Sequence, residues 1–347
     1  MKRLFLVPLL IVVVAGLTAT AVPSLTAAAP KLPPLIVATG LTTGSAFNTR
    51  LVGVSETIGK LTSMRVQIEP GGTEVSRFAP LHLGDAQLNL APGGEAYRAF
   101  IGDLKAVGPI QLRRVWAGSP SVFTVWTRGN SGIKTIADLA GKRVPQSKSG
   151  ISWSRRVRAA LAFGGLTLND VKVVNVASIP AGMKGILEGT IDITWTSDYS
   201  GFAIETAASR HGIHLFEFPL ANTEGWKRIR DTDPTISWVK AKGAAGLAPG
   251  QTLETVADEQ GLHSTPKTSD DIIYAVCKAM YEGYDTYKNM EKDLVNWTWQ
   301  AGYTLGVLEI PYHDGTIKFF KEKGVWTAAH EKFQQQALSL EKARLGK

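Results

Sequence analysis

From Leu35 onward, short apolar runs of strand character alternate with helical patterns, and that alternation restricts the chain to a layered α/β fold. Leu35-Ile36-Val37-Ala38 reads as a buried strand, and residues 48–61 form an amphipathic stretch behind a Gly/Thr/Ser loop. Met64 to Ile68 alternates as a second strand, residues 74–83 are helix-like, and Ala86 to Leu90 reads as a third strand. A second block with the same logic begins near Ser121. Val122 to Trp126 is extended and apolar, and Thr135 to Leu139 is a short helix with a capping Thr and an acid three residues on. Val144 opens another strand, and residues 152–163 are helical up to Gly164-Gly165. Strand 171–176, helix 181–188 and strand 191–195 follow. The remaining chain is rich in helical pattern, notably residues 269–294 and 328–345. Strands interleaved with helices imply βαβ units and largely parallel sheets. At 347 residues, two such blocks suggest two domains.

The N-terminus has the layout of a secretory leader. Met1-Lys2-Arg3 is basic, residues 4–17 are apolar and uncharged, and Ala19-Thr20-Ala21 is an A-x-A site, with a looser one at Thr26-Ala27-Ala28. The apolar run is shorter than the roughly 18 residues a spanning helix needs. A signal peptide over residues 1–28, and hence periplasmic localisation, is therefore expected. The formal net charge is +8 and stays basic without Lys2 and Arg3, which suits an anionic solute or a negatively charged surface. No basic run with interleaved aromatics is present, so nucleic acid is not an expected partner. The single cysteine, Cys277, follows the spacing of Ile273, Val276 and Met280 and reads as a small buried hydrophobe.

Three loops share one design: residues 39–45 (TGLTTGS), 71–73 (GGT) and 147–152 (SKSGIS) each follow a strand and open a helix. Glycine lets the backbone approach a ligand, Ser and Thr supply hydroxyls, and a helix N-terminus offers unpaired N–H groups to an anion. The same residues also make ordinary β-to-α connections. Gly40 and Gly44 lack dinucleotide-fingerprint spacing, and H-E-x-x-H and G-x-S-x-G are absent, so no enzyme, cofactor or metal is expected. His211 and His214 lack a third ligand at metal spacing and read as solvated or capping groups. Trp153 and Trp195 flank the loops of the second block.

These residues resemble, in order, the solute-binding subunits of TRAP transporters of the TAXI branch. The resemblance is carried by Val37 to Ser45 (VATG and its loop), Gly71 to Thr73, Leu81 to Gln87 (LHLGDAQ), Ser131 to Val144 (SGIKTIADLAGKRV), Leu187 to Trp195 (LEGTIDITW) and Ile310 to Trp326 (IPYHDGTIKFFKEKGVW). It implies a two-lobed type II periplasmic-binding-protein fold, each lobe a mostly parallel sheet flanked by helices, with the ligand cleft between them. Lobe one would comprise residues 29–121 plus 258–347 and lobe two 122–257, with crossings near 122–126 and 246–258. The implied partners are an anionic solute, an organic acid or amino acid, and integral-membrane TRAP permease subunits; an ABC importer component or a sensor shares the fold. The site expected from this is Thr42, Thr43, Gly44, Ser45, Phe47, Gly71, Gly72 and Thr73 on lobe one. On lobe two it is Ser149, Gly150, Ser152, Trp153, Trp195, Asp198 and Tyr199. Arg155 and Arg156 are expected to face water on their helix. The chain departs from the family at Pro92-Gly93-Gly94, Gly150-Ile151-Ser152-Trp153 and Asp198-Tyr199. A carboxylate larger than glutamate, or partly aromatic, is the expected solute.

Overall fold

The computed structural model describes residues 31–347 except Thr42, Gly44, Ser119, Ser149, Tyr199, Val307 and Lys347. The leader read from the sequence lies outside the described residues. The chain opens with β1 (Leu35–Leu41), α1 (Ala46–Leu61), β2 (Arg65–Gly71), α2 (Glu74–Leu83), β3 (Leu88–Pro92), α3 (Gly93–Ile101) and β4 (Arg113–Ala117). It continues through β5 (Ser121–Arg128), β6 (Arg143–Gln146), α4 (Ile151–Phe163), β7 (Lys172–Asn175), α5 (Ile179–Glu188), β8 (Thr194–Ser197) and α6 (Gly201–Ala208). Then come β9 (Ile213–Leu215), α7 (Thr223–Thr232), β10 (Ile236–Lys242), β11 (Thr252–Asp258), β12 (Gln260–Ser264) and α8 (Asp270–Glu282). Later helices include Asp314–Glu322 and Ala328–Leu345.

The first sheet has the order β2-β1-β3-β12-β4. β1 pairs parallel with β2 and β3, while β12 runs antiparallel between β3 and β4. All five residues of β3 are buried, as a strand covered on both faces requires. On one face α1, α8 and Asp314–Glu322 contribute Leu51, Val54, Ile58, Val276, Phe319 and Phe320 to a core with Leu90 and Trp116. On the other, α2 and α3 bury Phe78, Leu81, Ala99 and Phe100. Cys277 belongs to the first of these cores, and burial pushes its thiol up to about 12, so it packs rather than reacts.

The second sheet, β10-β11-β5-β8 with β9 also on β5, has its own core around Val125, Trp153, Val157, Trp195, Phe218 and Val256. Two lobes with separate cores, each a sheet flanked by helices, are thus present. The strand direction in the second lobe differs from expectation: every pairing in this sheet is antiparallel, and only the β6–β7 pair is parallel. The cause is the connection between lobes. β5 enters from β4 and β11 returns to β12 beside it, with Ser121 opposite Asp258, so the two strands joining the lobes must run in opposite directions.

Local departures have local causes. The 135–139 segment is a 3-10 turn, Ile136–Leu139, closed by the expected Thr135–Asp138 capping box. The strand expected from Ile191 starts only at Thr194, and Asp192 instead turns to pair with Arg143 at 2.6 Å. The long helix expected over 269–294 ends at Glu282, followed by Gly283.

Candidate functional site

A cleft of about 770 Å3 lies between the lobes, with residues of both in its walls. A larger hollow, of about 1070 Å3, draws its whole lining from the second lobe, around Lys134, Phe163, His214 and Leu253. Only the first has the placement of a site between lobes. Its first-lobe wall carries Leu41, Ser45, Phe47, Gly72, Glu74, Arg77, Glu95 and Glu291. Its second-lobe wall carries Phe123, Gly150, Trp153, Arg156, Ile179, Met183, Trp195, Ser200 and Phe202.

Of the residues singled out in the sequence, Ser45, Phe47, Gly72, Gly150, Trp153 and Trp195 line this cleft. Thr43, Gly71, Thr73, Ser152 and Asp198 are not among the lining residues. Thr42, Gly44, Ser149 and Tyr199 lie outside the described residues. Each placement follows from local structure. Ser45 is the N-cap of α1, its hydroxyl accepting from the Asn48 N–H at 3.1 Å. Gly72 would place a Cβ in open space, whereas a Cβ at Gly71 would meet Arg77 Cγ at 2.6 Å. Gly71 thus lets Arg77 pack, and Gly72 alone opens to the cleft. The Trp153 indole N–H donates to the Trp195 carbonyl at 2.8 Å, which fixes one ring against the next strand.

The helix N-termini hold groups of the chain itself. The α2 terminus is closed by a capping box between Thr73 and Ser76. The Ser152 N–H at the start of α4 donates to Glu74 Oε1 at 3.0 Å, across the cleft. Gly94, in the first turn of α3, donates to Asp258 Oδ2 at 3.4 Å. For Ser152 this is a correction: a carboxylate of the first lobe sits where the sequence reading placed the solute's.

Sequence reasoning missed the buried charges. Arg156, expected in water, is 6% exposed, pairs with Asp258 and lies over the Phe123 ring at 5.0 Å. The signal was available, since Trp153 and Arg156 are one helical turn apart and share a face. Arg77 pairs with Glu95 at 2.6 Å, and Arg98 with Glu74 at 2.7 Å. Arg50 holds Glu291 at 2.7 Å and donates to Gln260 at 2.6 Å where the lobes join. Burial pushes Glu95 up against the pull of Arg77, and pushes Asp258 up to about 7 against the pull of Arg156. Asp198, off the cleft, is pushed up to about 6 by burial, with the Lys292 ammonium 4.0 Å away opposing the shift. Ile179 and Met183, four residues apart on α5, and Phe202 on α6 were missed because their pattern reads as ordinary helix core.

The arrangement can enclose a solute of drug-like rather than minimal size, since such pockets run from roughly 300 to 1,000 Å3. Among the described residues no group of three or more His, Cys, Asp and Glu could hold a metal ion. No described helix is long and apolar enough to cross a membrane.

A model of the NMT1-like family matches residues 37–324. Among solved structures, the alkanesulfonate-binding protein SsuA from Xanthomonas axonopodis pv. citri, bound to MOPS, is similar at 15% identity over 90% of this chain and 92% of that one, with a TM-score of 0.45. The periplasmic aliphatic sulphonate binding protein SsuA from Escherichia coli is similar at 12% identity over 91% and 80%, with a TM-score of 0.45. Likenesses this distant carry no information on what the present chain binds.

Proposed function

The chain belongs to the NMT1-like family, and on that footing we propose that it is an exported solute-binding protein of the periplasm. It captures a small carboxylate-bearing solute and presents it to the integral-membrane subunits of a TRAP-type transporter. The observation that carries this reading is the cleft itself: about 770 Å3 between two lobes, with the chain crossing where β4 passes to β5 and β11 to β12. A pocket with walls on two separately cored lobes favours whichever arrangement encloses the ligand best, so binding stabilises the closed arrangement. No bond needs to be made or broken. Lobe one spans 29–121 and 258–347 and lobe two 122–257 in this reading. The ordered motifs from Val37 to Trp326 support the TRAP assignment.

The test is native mass spectrometry of the protein purified from an exporting host, followed by thermal unfolding against carboxylates and amino acids. A co-purified acid, or a saturable rise in melting temperature with one acid, is the expected result. A chain that retains residues 1–28 after export, or binds nothing across the panel, would overturn it. Energised vesicles carrying candidate permeases decide the transporter: uptake that needs an ATPase subunit would reject the TRAP assignment.

A further inference from the structure

The ion pairs in and behind the cleft wall leave it short of positive charge. Arg98 serves both Glu74 and Asp103, and Arg50 serves both Glu291 and Asp293. Arg77 is matched by Glu95 and Arg156 by Asp258, so in these pairs four guanidiniums meet six carboxylates. An anion of one charge or two would find every one of these cations already engaged. A cation meets the opposite situation. Glu95, 7% exposed on the first-lobe wall, takes two Arg77 N–H groups on Oε2, at 3.1 and 2.6 Å. Its Oε1 accepts nothing among the described residues and, unlike the enclosed Asp258 Oδ1, keeps some surface. Burial holds this carboxyl above its usual range, opposed by Arg77, reinforced by the Glu74 charge and drawn down by Arg156. One guanidinium therefore does not satisfy it. On the second-lobe wall, Arg156 spends Nη2 on Asp258, while its Nη1 donates to nothing among the described residues and is not enclosed. This guanidinium lies against the turn that carries Glu95, since a Cβ on Gly94 would be 3.1 Å from Nη2. Much of the remaining wall is apolar, with Phe47 on one lobe and Met183 and Phe202 on the other.

Resting on the solute-binding reading above, we infer that the solute is an amino acid with an apolar side chain, its protonated amine received by Glu95 Oε1. Its side chain packs among Phe47, Met183 and Phe202. A zwitterion brings its own counter-charge, so its carboxylate needs only an N–H, which Arg156 Nη1 offers, and no surplus cation. Organic acids without an amine, and acidic amino acids, add net negative charge to a wall already rich in carboxylates and are rejected.

Calorimetric titration of the protein tests this with phenylalanine and leucine against glutamate, 3-phenylpropanoate, which lacks the amine, and 2-phenylethylamine, which lacks the carboxylate. Phenylalanine or leucine is expected to bind about tenfold or more tighter than the other three, the worth of a hydrogen bond to a charged group. Glu95→Gln should weaken phenylalanine by a similar factor and leave 3-phenylpropanoate no weaker. Glu95 also pairs with Arg77, so if that variant does not fold, phenylalanine against 3-phenylpropanoate on the wild type decides alone. Equal binding of those two overturns the role of the amine, and equal weakening of both by Glu95→Gln overturns that of Glu95. If 2-phenylethylamine binds as well as phenylalanine, the zwitterion is overturned. Tighter binding of glutamate, or a co-purified acid without an amine, overturns the solute class and leaves the solute-binding reading standing. No binding of any probe, with no co-purified mass, overturns both readings.

Discussion

Asp198 sits in the turn after β8, 7% exposed, with its Oδ1 unpartnered among the described residues and a mostly exposed Lys292 4.0 Å from its other oxygen. Burial is the larger influence and pushes the carboxyl from 3.8 up to about 6. The folded protein therefore holds this proton more tightly than the unfolded chain. Stability from this group is full below pH 4 and is lost as pH rises through 6. Asp198→Asn removes that loss: unfolding at pH 7.5 should become harder by about 2–3 kcal/mol, with little change at pH 4. Denaturant melts at the two pH values check it, and an equal shift at both, or a loss at pH 7.5, rejects the electrostatic account. Asp198 also shows why single residues were read with mixed success. The sequence places a charged side chain beside a site loop, but whether it enters the cleft or the protein body depends on how the lobes meet. Arg156 failed in the opposite direction for the same reason, because its partner Asp258 lies 102 residues away.

At the scale of elements, reading succeeded where signals were local. The Glu74–Leu83 and Ala328–Leu345 helices have the bounds expected from their patterns, and both start at a Thr with a capping box. It failed where a long-range partner decided the outcome. β10, β11 and β12 form because each has a neighbour to pair with, and their short runs carry too little apolar periodicity to announce it. The expected long helix after Ser269 is cut at Gly283, which lies against α1. A Cβ there would collide with Thr57 Cγ2, and would lie 2.6 Å from the Ala279 carbonyl and 2.9 Å from Leu61 Cδ1. Gly283→Ala should therefore cost about 1–3 kcal/mol. Gly59→Ala, on the same α1 helix with only the Met64 carbonyl at 3.7 Å, should instead gain about 0.4–1 kcal/mol through helix propensity and a less flexible unfolded chain. Equilibrium unfolding of the two variants decides: the same sign for both would mean that contact between α1 and Gly283 does not set the end of α8.

Across the whole molecule, the two lobes are tied by contacts that need no solute. Glu74 on α2 accepts from the Ser152 N–H at 3.0 Å, and Arg98 on α3, which grips Glu74, reaches the Ser152 hydroxyl at 3.4 Å. Asp258, at the end of β11, receives Arg156 of the second lobe and the Gly94 N–H of the first. The two-lobed plan was legible in the sequence as two successive β/α blocks, but these ties were not, since they join residues from different blocks through single atoms. Their consequence is energetic. A clamp whose enclosed form is already favoured without solute loses little affinity to the cost of closing, whereas one that rests open binds more weakly by the fraction of molecules closed. Glu74→Ala removes the acceptor for Ser152 and leaves Arg98 with Asp103 at 2.9 Å, so the first lobe keeps a partner for its buried cation. The variant should show a larger radius of gyration by X-ray scattering without ligand, and should bind whichever acid the wild type takes several-fold more weakly. Saturating ligand should bring both proteins to the same radius. An unchanged radius together with unchanged affinity would mean that the lobes are held by their strand connections alone, and that the Glu74–Ser152 contact merely accompanies the enclosed form.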